Sequence, residues 1–160
     1  MSDVRLIALG NPAAGDDAAA LLAVELVREP AEKVVAGRPG AGLVDLLAGD
    51  GPIVLTDVTR GLGETGRITS GRLEDLAERI AARAQVSSHG FGPAEALQLA
   101  RVLGRPLPPI VFVGLEGGAF DPGTALSAEV ERALPDFAAA IDRAIAALRA
   151  ADDAPEVRGA

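Results

Sequence analysis

The chain contains no cysteine, which excludes disulfide scaffolds, zinc ribbons, iron–sulfur ligation and thiol nucleophiles together. Tryptophan and tyrosine are also missing, phenylalanine occurs four times, and Lys33 is the single lysine. The 49% hydrophobic share therefore leans on alanine. Basic groups are scarce beside acids: 15 Lys and Arg face 23 Asp and Glu, a formal net charge of −8. That balance argues against a nucleic acid or an anionic membrane surface as partner, since both select for basic faces. No apolar run approaches the roughly 20 residues that cross a bilayer. The opening Met1-Ser2-Asp3-Val4-Arg5 has neither the basic start nor the apolar stretch of a secretory signal. A cytoplasmic protein is expected. Its 160 residues suit one domain, large enough to fold without a structural metal.

What is present is a series of short aliphatic runs separated by amphipathic stretches. Residues 4–9 form an apolar run stopped by Gly10-Asn11-Pro12, too short and too sharply punctuated for a helix. Asp16 is then placed to cap a helix over residues 17–28, apolar along Ala20, Leu21, Val24 and Val27 and stopped by Pro30. A second strand is read at 33–36 and a short helix at 43–48. Residues 53–58, Ile-Val-Leu-Thr-Asp-Val, make the clearest strand. A Gly-rich loop over 60–66 leads to a short strand at 67–70, expected to be antiparallel. Helical spacing follows over 73–84, with Leu73, Leu76 and Ile80 on one side, and again from Pro93 to 103. The last strand lies at 109–115. Ser127 is placed as the cap of a final helix running to about residue 150, with an irregularity at Pro135. Strands without polar alternation, alternating with helices, predict an α/β fold. The expected form is a three-layer α/β/α arrangement around a mostly parallel, twisted sheet of about five strands. Residues 1–150 are read as one domain and 151–160 as a disordered tail.

Ligands of open parallel sheets bind beyond the carboxyl ends of the strands. Three places qualify: the loop 10–17, Asp57 at the end of its strand, and the loop 114–118. The first is no dinucleotide site, because Gly10 and Gly15 do not match G-x-G-x-x-G and adjacent acids would repel phosphate. Asp16 is read as a helix cap, whereas Asp17, one step further, can face across the strand ends. A carboxylate within an apolar strand is costly to bury unless paired, hydrogen-bonded or metal-bound, so Asp57 is either structural or part of a site. His89, the only histidine, sits in Ser87-Ser88-His89-Gly90-Phe91-Gly92, a loop feeding a helix. Two carboxylates and an imidazole suit a borderline divalent ion such as nickel, zinc, cobalt or manganese. The neighbouring serines lack a G-x-S-x-G elbow. Glu116 is read as a rim residue or a solvated loop acid.

These segments resemble the hydrogenase maturation proteases. Leu9-Gly10-Asn11-Pro12 followed by Gly15-Asp16-Asp17 is similar to that family's opening signature. Val54-Leu55-Thr56-Asp57-Val58, Ser88-His89-Gly90-Phe91-Gly92 with Ala94-Glu95-Ala96-Leu97, and Val113-Gly114-Leu115-Glu116 match in the same order. Leu126-Ser127 with Glu129-Val130 closes a likeness that runs from about residue 4 to 134. The sequence departs from the pattern at Ala13, Ala14, Ala18 and Ala20. It departs again at Ala36-Gly37-Arg38, where the family often has D-G-G-T.

The resemblance implies an endopeptidase (a peptidase and hydrolase) of protease-like α/β fold. It would remove the C-terminal extension of a nickel-loaded [NiFe]-hydrogenase large-subunit precursor. It also implies that Asp17, Asp57 and His89 are both the catalytic and the metal-contacting groups. The nickel would be carried by the substrate and serve as the recognition element, with another divalent metal able to occupy the position in vitro. A monomer is expected, since a transient complex with a large acceptor needs no self-association. The alternative is a non-catalytic domain of the same fold that docks on a hydrogenase subunit or binds a divalent metal.

Overall fold

The computed structural model describes residues 3–84 and 91–153. Strand β1 (Arg5–Leu9) leads through a 3-10 turn (Gly15–Ala18) into helix α1 (Ala19–Leu26). Strand β2 (Glu32–Gly37), helix α2 (Leu43–Leu47) and strand β3 (Ile53–Thr59) follow. Strand β4 (Ile68–Arg72) runs directly into helix α3 (Leu73–Ala84). Helix α4 (Pro93–Val102), strand β5 (Ile110–Glu116) and helix α5 (Ala128–Asp153) complete the order.

The strands form one sheet in the order β2-β1-β3-β5-β4. Neighbours are parallel except β4, which pairs antiparallel with β5. Central strands of a sheet covered on both faces are mostly apolar, and in β1, β3 and β5 the exceptions are Arg5, Thr56, Asp57, Thr59 and Glu116. The period of two then divides each strand between two cores. Leu6, Ala8, Val54, Val58, Val113 and Leu115 pack under α1 and α5, against Val24, Phe137, Ile141 and Ile145. Ile7, Leu9, Ile53, Leu55 and Phe112 face the other way, against Leu43, Leu47, Leu73, Leu76 and Leu97 of α2, α3 and α4. The expected three-layer arrangement with five strands, one of them antiparallel, is the one observed.

Strand order reverses at β1, which has β2 on one side and β3 on the other. Connections leaving β1 and β3 therefore diverge, opening a crevice beyond their carboxyl ends. Asp17 and Asp57 both belong to that end of the sheet.

Several boundaries differ from the sequence reading. Helix α1 starts at Ala19, because residues Gly15–Ala18 form a 3-10 turn with no side-chain cap. Asp16 is not a cap; its carboxylate is engaged elsewhere, as described below. Helix α5 passes through Pro135 without a break and ends at Asp153. Burial of Phe137, Ile141 and Ile145 beyond the proline secures the continuation. The rest of the expected tail, 154–160, lies outside the described residues. Among the described residues no helix is long and apolar enough to cross a membrane.

The first loop depends on one glycine. Gly10 has φ 146°, and a Cβ there would collide with the backbone carbonyl of Asp17. Gly10→Ala is expected to cost about 2 kcal/mol or more, from strain and from displacement of the loop. Urea unfolding of the variant beside the parent measures it.

Candidate functional site

The loop after β1 is fastened at several points before it delivers its acids. The Gly10 N–H donates to the Gly37 carbonyl at the end of β2 (2.9 Å), and the Ala13 carbonyl accepts from the Gly123 N–H (2.7 Å). Asn11 Oδ1 accepts from the Ala13 N–H (2.9 Å), closing a local turn. The Asn11 N–H donates to Asp17 Oδ2 (2.8 Å), which fixes the Asp17 carboxylate over its own loop.

Asp16, directly before it, is fully buried. Its Oδ2 accepts from the Gly118 N–H (2.8 Å), the Ala119 N–H (2.9 Å) and the Ser127 hydroxyl (2.9 Å). Its Oδ1 accepts from the Ser127 N–H (2.7 Å). The expected helix cap is thus a clamp between the loop after β1 and the loop after β5. Ser127, read as the cap of the last helix, gives its hydroxyl to the same carboxylate. Burial alone would raise this carboxyl, but the N–H groups of Gly118, Ser127 and Ala119 and the Ser127 hydroxyl outweigh it, and the net displacement is downward.

Glu116 also departs from its reading as a rim or solvated acid. It is buried, with Oε1 accepting from the Thr59 hydroxyl (2.7 Å) and the Leu62 N–H (3.2 Å), and Oε2 from the Gly61 N–H (2.6 Å). It anchors the strap that leaves β3, just as Asp16 anchors the strap that leaves β5. Neither role has a sequence signature, because each depends on donors more than 50 residues away.

Asp57 occupies the carboxyl end of β3, level with Gly114 of β5, and is partly buried. Its Oδ1 accepts from the Val58 N–H (2.8 Å). Burial foremost, then the negative charge of Asp17, push its carboxyl up to about 7. The Val58 N–H and the cations Arg38 and Arg60 act in the opposite direction. The structure therefore brings Asp17 and Asp57 within electrostatic reach of each other, at the strand ends where the sequence put them. His89 lies outside the described residues. Arg38 and Arg60 are the residues that sequence reading did not connect to the site, although Arg38 was visible as a departure from a family motif. A groove of about 720 Å³ between β4 and α5, lined by Ile68, Val111, Ala140 and Arg143 among others, contains none of these groups.

The architecture and strand order are the fold seen in solved hydrogenase maturation proteases. No family model matches the chain, and no curated protein matches it significantly. The likeness appears in solved structures. The hydrogenase maturating endopeptidase HybD from E. coli superposes with a TM-score of 0.70 at 18% identity, covering 94% of this chain and 94% of that one. The [NiFe] hydrogenase maturation protease HybD from Thermococcus kodakarensis gives 0.67 at 21% identity, over 90% and 99%. The hydrogenase 2 maturation peptidase from Thaumarchaeota archaeon SCGC_AB-539-E09 gives 0.61 at 25% identity, over 92% and 98%.

Two outcomes test the electrostatics. Asp16→Ala leaves three buried N–H donors without an acceptor and is expected to cost about 3 kcal/mol. Because the Asp16 carboxyl is lowered from 3.8 in the folded chain, its stabilisation is complete above that value. It is lost as the pH falls through the lower folded value, so acid unfolding of the parent should steepen there. Asp57 has the opposite sign. Its folded value of about 7 exceeds 3.8, so the native state holds the extra proton and its stability declines as the pH rises between them. Denaturant titrations should show Asp57→Asn gaining on the parent by roughly 2 kcal/mol between about pH 5 and about pH 8.

Proposed function

We propose that the chain is a processing endopeptidase that removes the C-terminal extension of a nickel-loaded [NiFe]-hydrogenase large-subunit precursor. The observation that supports this most directly is the convergence of Asp17 and Asp57 at the switch point of this fold, where the charge of one helps to raise the carboxyl of the other. A pair of neighbouring carboxylates is suited to a divalent cation, and a carboxyl near 7 is suited to carrying a proton at neutral pH.

In this reading Asp17, Asp57 and His89 engage the nickel that the precursor already holds, so that cleavage follows completed metal loading. The substrate's nickel polarises the scissile carbonyl or a water beside it. Water oxygen adds to the carbonyl carbon as a carboxylate takes its proton. The C–N bond then breaks, and the proton passes to the departing amine. Asp17 is held for this task by the Asn11 N–H, and the buried Asp16 clamp keeps the loop from drifting.

The test is mass spectrometry of the large-subunit precursor after incubation, with and without nickel loading. Loss of the extension is expected only from the loaded precursor. Asp17→Asn, Asp57→Asn and His89→Ala should each slow it by about 100-fold or more. An unchanged mass for the loaded precursor with the parent protein overturns the proposal.

A further inference from the structure

The carboxyl end of the sheet carries two cations as well as two acids. Arg60 directly follows β3, three residues beyond Asp57, and its guanidinium carbon sits 3.5 Å from the centroid of the Phe120 ring. That ring is itself wedged in place. A Cβ on Gly117 would lie 2.6 Å from Phe120 Cζ and 2.7 Å from Val58 Cγ1, so the close packing exists only because residue 117 has no side chain. The segment that follows Arg60 is pinned by the Gly61 and Leu62 N–H groups on buried Glu116. Arg60 is therefore an exposed cation on a fixed base, with its hydrogen-bonding edge left over after stacking.

Arg38 reaches the same place from the other side of the crevice. It follows β2, next to the Gly37 carbonyl that accepts from Gly10, and it too is exposed. Both guanidiniums bear on Asp57 electrostatically. Neither takes part in an ion pair among the described residues, where the ion pairs are Arg72–Glu74, Arg105–Asp45 and Arg149–Glu29. In a chain of net charge −8, two uncommitted arginines flanking one crevice offset the charge of Asp17 and Asp57 locally and leave guanidinium edges free for an anion. An anionic group repelled by most of the surface is attracted there.

We propose that Arg38 and Arg60 form a carboxylate-binding subsite that fixes the substrate peptide beside the scissile bond. The ligand is a carboxylate of the segment to be cleaved, supplied by an Asp or Glu side chain or by the chain terminus, and taken by the planar donor edge of Arg60. This rests on the endopeptidase reading for its role, but the binding chemistry is measurable without it. Because the cations hold substrate and transition state alike, their contacts with the peptide act on KM.

Backbone amide shifts of Gly61 and Phe120 provide the direct measurement. N-acetyl-glutamic acid α-amide presents a side-chain carboxylate, N-acetyl-alanine a terminal one, and N-acetyl-glutamine amide neither. Saturable shifts are expected with at least one carboxylate probe, which identifies the source, and none with the neutral probe. The shifts should vanish in the Arg38→Gln/Arg60→Gln double variant, whose unfolding midpoint should stay near the parent's because both side chains are exposed. No shift with either acid, or equal shifts in the double variant, overturns the subsite. In precursor processing the double variant should raise KM about tenfold or more; an unchanged KM overturns its role in substrate binding. A parent protein that leaves the precursor uncut counts against the endopeptidase reading alone, and the amide shifts then decide the subsite.

Discussion

Everything at the working end of this molecule depends on one buried carboxylate. Asp16 joins the segment after the first strand to the segment after the last, through four hydrogen bonds to Gly118, Ala119 and Ser127. A charge in so dry a place is tolerated only when donors surround it, and here three of the four are main-chain N–H groups. They belong to a loop with no regular structure of its own, so the acid and the loop order each other. Asp17 inherits its position from this arrangement, being the next residue along a chain that is no longer free to turn.

Glu116 repeats the same solution for the strap that leaves β3. Two loops rich in glycine, which would be loose on their own, are each organised by an acid from a different part of the sheet. The two acids that do the fixing are buried and satisfied. The two that face the crevice are less so, and Asp57 is raised as a result. Stability and reactivity are thus divided between neighbouring residues of the same chemical type.

That division also marks the limit of what the sequence disclosed. Aliphatic runs at 53–58 and 109–115 were readable as central strands because burial on both faces removes polar alternation. The 73–84 helix was readable because its apolar residues recur at helical spacing. Asp57 stood out because a charge in such a strand demands a partner. Asp16 and Glu116 did not stand out, since an acid near a helix start or between loop glycines has an ordinary local explanation and the donors that claim it are remote. The start of α1 was misplaced for the same reason: with its carboxylate drawn away, Asp16 could not cap, and a tighter turn took up the first four residues. Arg60 was read only as the start of a Gly-rich loop, because Phe120, which lies beneath it, is 60 positions further along. His89 rests on the sequence alone.

The antiparallel placement of β4 has a wider meaning. Because β4 returns down the far side of β5, the segment joining it to β3 spans the top of the sheet instead of descending through a crossover helix. Its length and charge can change from one relative to another without disturbing a helix, a core layer or the strand order. Divergence in what such a molecule accepts can accumulate in that bridge while the scaffold stays constant.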